Sequence, residues 1–164
     1  MTALEALSSK VVPVGDLVAR FSRPRAERVV FTNGCFDVLH RGHVEYLARA
    51  SDAGDLLIVG LNSDASVRRL KGPGRPVNSQ DDRALVLAAL ASVDFVTIFD
   101  HDTPLELIRA LLPDVLIKGG DYRPQDIVGG REVTASGGIV IIAPLVPGRS
   151  TSDVLLRLKS EQER

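Results

Sequence analysis

The chain has 164 residues, 45% of them hydrophobic, which suits one domain of ordinary size with a substantial core. A formal net charge of -1 gives no global electrostatic reason to expect nucleic acid as a partner, and no apolar run has the length of a membrane span or the pattern of a secretory leader. The single cysteine, Cys35, excludes an intramolecular disulfide and is compatible with a reducing, cytoplasmic setting.

Residues 1–27 read as a helical prefix ahead of a domain spanning 28–164. Val14 to Phe21 has the spacing of a short amphipathic helix, and Ser22–Arg23–Pro24–Arg25 breaks it. Such a helix is expected to cover an edge of the core or to meet a second subunit. From Arg28 the pattern changes. Val29–Val30–Phe31 suits a buried strand, His40 to Ala50 carries helical spacing, and Leu56 to Val59 forms a second apolar strand. Both strands are apolar throughout, as in a parallel sheet covered on both faces. Gly60 to Pro76, with Gly72–Pro73–Gly74 near its end, is expected to be a shaped loop rather than a helix.

The alternation continues with a helix over Asp81–Ala91 and a strand over Phe95–Phe99. Thr103 is expected to cap the next helix, with Pro104 in its first turn and Glu106 three residues after the cap. That helix should end near Leu112, before Pro113. Val115–Ile117 and Gly138–Ile142 supply the remaining strands, and a last helix begins at about Thr151. The order predicts an α/β fold, a Rossmann-like five-stranded parallel sheet with helices on both faces. Ligands on such a sheet lie beyond the carboxyl ends of the strands, where the connectivity reverses.

The polar sequences at those ends therefore carry the chemistry. Thr32 to His43 runs from the first strand into a helix. Gly34 permits a tight turn, and Gly42 lets a bulky ligand approach the backbone. His40 and His43, three apart at a helix start, can face one side and join free amide N–H groups in a phosphate site. No third ligand at a recognised spacing accompanies them, so a hydrolytic zinc site is disfavoured. Gly148 to Asp153 brings hydroxyls to the start of the last helix, where they cap it or cradle an anion. A Walker loop and a dinucleotide fingerprint are both missing, which argues against a P-loop kinase and a hydride-transferring enzyme.

Gly34-x-Phe36-Asp37-x-x-His40-x-Gly42-His43 resembles the signature of the cytidylyltransferase-like nucleotidyltransferases, of the HxGH type, and Ser150–Thr151–Ser152 resembles their serine/threonine-rich second signature. The resemblance implies direct transfer of a nucleotidyl group, with His40, His43 and Lys71 as catalytic residues and no covalent intermediate, so Cys35 has no role as nucleophile. It implies a nucleotide site built by Thr32, Asn33, Gly34 and Phe36, by the His40–Gly42–His43 motif, by Lys118 and Gly119, and by Ser150, Thr151 and Ser152. It implies an acceptor site that draws on Asp37, Asn62, Asp64, Lys71, Arg83 and Asp121. No protein metal site is implied; Mg²⁺ comes bound mainly through the phosphates of ATP.

Over residues 28 to the end, "FTNGCFDVLHRGHVEYLARA", "GLNSDASVRRLKGPGRPVN" and "LIKGGDY" look like the adenylyltransferase domain of the bacterial heptose-biosynthesis enzymes. That family transfers AMP from ATP to D-glycero-β-D-manno-heptose 1-phosphate, giving ADP-heptose and pyrophosphate. The resemblance implies a stand-alone cytoplasmic homodimer, served by a separate heptose kinase and phosphatase and without nucleic-acid or membrane partners. Glycerol-3-phosphate cytidylyltransferase is the nearest enzymatic alternative, and a non-catalytic nucleotide sensor on the same fold is an alternative of another class.

Overall fold

The computed structural model describes residues 1–144 and 146–162. Five strands, Val29–Gly34 (β1), Leu56–Asn62 (β2), Phe95–Phe99 (β3), Val115–Gly119 (β4) and Ile139–Ala143 (β5), form one parallel sheet in the order β3-β2-β1-β4-β5. The chain moves outward from β1 through β2 to β3, then crosses back to β4 on the other side of β1. The reversal of winding lies between β1 and β4, so the crevice beyond their carboxyl ends is the expected ligand position.

Helices cover both faces, as the unbroken apolar strands require. On one face Arg41–Ser51 (α3) and Gln80–Ala88 (α5) bury Leu47, Ala50, Ala84 and Leu87 against Val30, Leu57, Val59 and Val96. On the other, Val14–Phe21 (α2), Leu105–Leu111 (α6) and Gly130–Ala135 (α7) bury Leu17, Phe21, Ile108, Leu111 and Val133 against Val29, Phe31, Ile58 and Leu116. The prefix is thus part of the core: α2 sits on the second face, while Val11 pairs with Val96 in β3 and packs against the first. Ahead of it, Ala3–Ser8 (α1) starts with a capping box between Thr2 and Glu5 that the patterning of the sequence leaves unassigned.

Four other features depart from the sequence expectations. Asp64–Lys71 is a helix (α4) rather than a loop: the Ser63 hydroxyl accepts from the Ser66 N–H at its start, and Gly72 ends it at φ 91°. The shaped turn is confined to the residues that follow. Thr103 does not cap α6; Pro104 occupies the cap position and no side chain bonds the free amides there. Strands β1, β2 and β4 run two or three residues further than their apolar runs, because the parallel ladder pairs Asn33 with Gly60 and Gly34 with Leu61 whatever the side chains. A short 3₁₀ turn at Pro124–Asp126 and α7 fill the connection between β4 and β5. Thr151–Gln162 (α8) closes the described chain.

Candidate functional site

β1 delivers Asn33 and Gly34 to the sheet edge, and the chain then turns sharply. Phe36 adopts φ 43°, a left-handed conformation costly for a side chain of this size, with its ring almost fully buried. A Cβ on Gly34 would come within 3.0 Å of that ring, so glycine is needed for the fold of the turn itself. Asp37 follows and is buried; its carboxylate accepts from the Val77 and Asn78 N–H groups and from Nε of Arg75 at 2.6 Å. Burial alone would raise this carboxyl, but the Asn78 and Val77 amides and the Arg75 guanidinium outweigh it and hold it below the usual carboxylate range.

The two histidines form the start of α3. His40 has extended backbone angles at the cap position, and its Nδ1 accepts from the Gly42 N–H at 3.1 Å. The His40 N–H in turn donates to Nδ1 of His43 at 3.3 Å. Both rings accept at Nδ1, so in the neutral form both carry the proton on Nε2 and offer it as a donor. The ring centroids lie 3.9 Å apart, and Phe36 packs edge-on against His43 at 5.4 Å. Burial, with His40 alongside, pushes the His43 imidazole down to about 4. His40 is lowered by burial and by Arg149, against an upward pull from Asp153. Gly42 is required by this pair: a Cβ there would stand 2.9 Å from Cε1 and Nδ1 of His40 and 3.3 Å from Cβ of Arg149.

Two further elements complete the edge. Lys118, at the end of β4, donates from Nζ to the Asn33 carbonyl at 3.1 Å, which fastens β4 to β1 across the reversal point. Burial lowers its ammonium, and Lys71 adds to this while Cys35 opposes it. At the start of α8, the Ser150 hydroxyl accepts from the Asp153 N–H, and the Thr151 hydroxyl donates to the Val38 carbonyl at 3.3 Å. The helix start therefore rests directly on the histidine loop.

These residues enclose a cleft of two adjoining lobes, about 590 and 380 Å³, that share Asn33, Gly34, Phe36, His43, Lys71 and Lys118. The larger lobe runs toward Asp37, Asn62, Arg75, Pro104 and Tyr122. The smaller runs past His40, Gly42 and Gly119 toward Pro144, Arg149 and Ser150, with Thr151 and Ser152 common to both. Most of the predicted residues are thus gathered around one space.

Others are placed elsewhere. Thr32 is buried, its hydroxyl bonded to that of Tyr46 at 2.6 Å. Arg83, expected to meet acceptor phosphate, is 2% exposed; Nε serves the Asn78 carbonyl, Nη1 the Cys35 and Asn62 carbonyls, and Nη2 Asp64. Every nitrogen of the guanidinium is engaged inside the protein. Asp64 lines a separate open depression beside Ser79 and Gln80, and Asp121 is exposed outside both lobes. Arg75, Arg149, Tyr122 and Pro104 are among the lining residues to which the motifs assign no role. The available signal for Arg75 was its position in the Gly72–Pro76 turn; for Tyr122 it was Gly120, whose φ is 128° and over which the tyrosine ring packs.

Among the described residues no group of three or more His, Cys, Asp or Glu side chains is arranged to hold a metal. The cleft's acids are Asp37, already paired, and the peripheral Asp102 and Asp126, bonded to Arg69 and Arg123. A cation carried on phosphate oxygens fits this donor set, and a protein cage does not.

Comparison with known proteins agrees with this architecture. Residues 31–156 match the family described as Cytidylyltransferase-like. The chain is 55% identical over 147 residues to the bifunctional protein HldE of Syntrophotalea carbinolica, with 90% of this chain and 30% of that protein covered. It is 54% identical over 157 residues to HldE of Methylobacillus flagellatus, covering 94% and 32%. It spans about a third of the length of these relatives. Among solved structures, a lipopolysaccharide core biosynthesis protein from Thermoplasma volcanium superposes with a TM-score of 0.60 at 24% identity, over 74% of this chain and 98% of that one. Pantothenate synthetase from Thermus thermophilus superposes with a TM-score of 0.64 at 20% identity, over 94% and 70%. These last two likenesses speak for the fold.

Proposed function

We propose that this chain, which belongs to the cytidylyltransferase-like family of nucleotidyltransferases and is homologous to the adenylyltransferase domain of HldE, transfers AMP from ATP to D-glycero-β-D-manno-heptose 1-phosphate, forming ADP-heptose and pyrophosphate. The observation that carries the reading is the cleft itself. His40, His43, Lys71, Lys118 and Arg149 surround one space at the reversal point, and none of them has a carboxylate partner among the described residues. Donors gathered with no ion pair of their own suit a polyanion.

The nucleotide takes the smaller lobe, its phosphates on the Nε2–H groups of the two histidines, the hydroxyls of Ser150, Thr151 and Ser152 and the amides at the start of α8. The acceptor takes the larger lobe, with Lys71 on its phosphate. A phosphate oxygen of the acceptor attacks the α-phosphorus in line as the bond to the β-phosphate bridging oxygen breaks, and pyrophosphate departs with that electron pair. The acceptor phosphate is already anionic near neutrality, so no protein base is needed, and the protein supplies positioning and charge stabilisation. Mg²⁺ on the triphosphate supplies additional charge neutralisation when bound. Asp64 and Arg83 act one step back: Arg83 holds the Cys35 and Asn62 carbonyls and so fixes the turn beneath the phosphates. Homodimerisation and a cytoplasmic location belong to the same reading, and no described helix is long and apolar enough to cross a membrane.

Pyrophosphate release with Mg²⁺, in a matrix of ATP or CTP against heptose 1-phosphate or glycerol 3-phosphate, tests this directly. Release with ATP and heptose 1-phosphate alone is expected. Release only with CTP and glycerol 3-phosphate would overturn the sugar and base assignments, and bound nucleotide without turnover would point to a sensor.

A further inference from the structure

The larger lobe contains one arginine among its described lining residues, Arg75, and its guanidinium is only partly used. Nε bonds Asp37 at 2.6 Å, while neither terminal nitrogen has a hydrogen-bond partner among the described residues. The side chain is 21% exposed and its partner carboxylate 1% exposed, so the pair is anchored at its Asp37 end and open at the other. Asp37 also takes the Val77 and Asn78 N–H groups, and its carbonyl accepts from Nδ2 of Asn78. The turn after α4 is thereby tied to the loop that leads into His40 and His43. Gly72 and Gly74, at φ 91° and 87°, let the turn reach across with nothing close to where their side chains would be.

We infer that Arg75 binds the phosphate of the acceptor through its terminal amino groups while its Nε holds Asp37. The inference rests on the acceptor lobe of the reading above and assigns to Arg75 the contact that Arg83 is not free to make. A phosphate monoester needs more than the single charge of Lys71, and a guanidinium fixed at Nε presents its remaining donors as a preset fork. The arrangement also links acceptor binding to the geometry of the histidines, because the same side chain contacts the acceptor and, through Asp37, the histidine loop.

The experiment compares the wild-type chain with Arg75→Gln, Arg75→Lys and Asp37→Asn, using steady-state kinetics for both substrates and a thermal melt of each protein. Arg75→Gln is expected to raise the acceptor KM by about 30-fold, the scale of a lost charge-assisted contact, and to shift the ATP KM by no more than about twofold. Arg75→Lys, with one charge for two partners, should fall between. Asp37→Asn keeps the cation and loosens the turn, so it should lower kcat and the melting temperature more than acceptor affinity. If Arg75→Gln and Asp37→Asn instead raise both KM values by the same factor, Arg75 is a latch alone and the inference is overturned. A wild-type enzyme that turns over a different phosphorylated acceptor would refute the heptose assignment separately, and the Arg75 test would then be read on that acceptor's KM.

Discussion

The two ends of the sheet differ in how far their basic side chains are matched: the amino-terminal end pairs Arg23 and Arg25 with Asp114, whereas the carboxyl end pairs Arg75 with Asp37 and Arg83 with Asp64 and leaves the other basic groups lining its cleft without an ion pair among the described residues. At the amino-terminal end, Asp114 accepts from Arg23 at 2.8 Å and Arg25 at 2.7 Å, and also takes the leading amide of β1 at Val29. Arg25 spends its remaining donors on the Phe21, Leu111 and Leu112 carbonyls. Asp94 similarly takes the Leu57 amide of β2. At the carboxyl end, His40, His43, Lys71, Lys118 and Arg149 crowd one cleft with no ion pair among the described residues. A buried cation matched inside the protein is costly to strip of its partner, whereas cations and neutral N–H donors gathered without one favour a complex with an anion. The signs of the charges alone do not separate these roles, but their partners do.

The largest effect that would break this contrast is at the unmatched end. His43→Ala should reduce kcat by about 100-fold, with a small change in the ATP KM, since the lost donor acts mainly on charge that develops during transfer. Initial-rate kinetics with saturating acceptor measure it, and an unchanged kcat would remove His43 from the reaction. At the matched end, Asp114→Ala should cost about 3 kcal/mol of stability by stranding the buried Arg25, read as a shift in the urea midpoint, while kcat/KM of the folded protein stays at the wild-type value. Loss of activity at full stability there would erase the distinction between the ends.

Acidification sharpens the same comparison. His43 is held at about 4 in the ligand-free fold, against an ordinary value near 6.5. Below about 6.5 the unfolded chain takes up a proton that the fold refuses, so stability from this group is lost as pH falls toward about 4. The full shift corresponds to about 3.4 kcal/mol, which solvent screening of the half-buried ring reduces to about 2 kcal/mol. Urea titrations across that range should show the loss in the wild-type chain and a smaller one in His43→Gln. A bound triphosphate favours the charged form and should reduce the slope. The smallest effect tests geometry alone. Gly42→Ala forces a Cβ against the His40 ring and should lower kcat by about tenfold with little change in melting temperature.

Much of this was legible from the chain itself. The unbroken apolar runs at Val29–Phe31, Leu56–Val59 and Val115–Ile117 announced a doubly covered parallel sheet, and each lies inside an observed strand. The stretch from Thr32 to His43 runs from the last residues of β1 through residues 35–40 into the first turn of α3, with a shorter helix before it at α2. The boundaries were less legible where local chemistry gave a weak or competing signal. Asp64–Lys71 has few apolar residues and adjoins a Gly-Pro-Gly turn, yet Val67 and Ser66 are buried on it and Ser63 caps it. Thr103 and Pro104 have the composition of a cap, but the chain enters α6 one residue later and the hydroxyl makes no capping bond.

The sequence by itself therefore determined the sheet, most of its covering helices and the family, because hydrophobic periodicity and short motifs are properties of neighbouring residues; α4 and α7 emerge only in the tertiary structure. Only the tertiary structure decided which cations are spent and which are free. Arg83 and Arg75 lie eight residues apart beside the same cleft, and nothing in their local sequence says that one is enclosed by four acceptors while the other keeps two nitrogens open. That difference comes from carbonyls and carboxylates up to 48 residues away, brought together where the paired strands β1 and β2 end side by side.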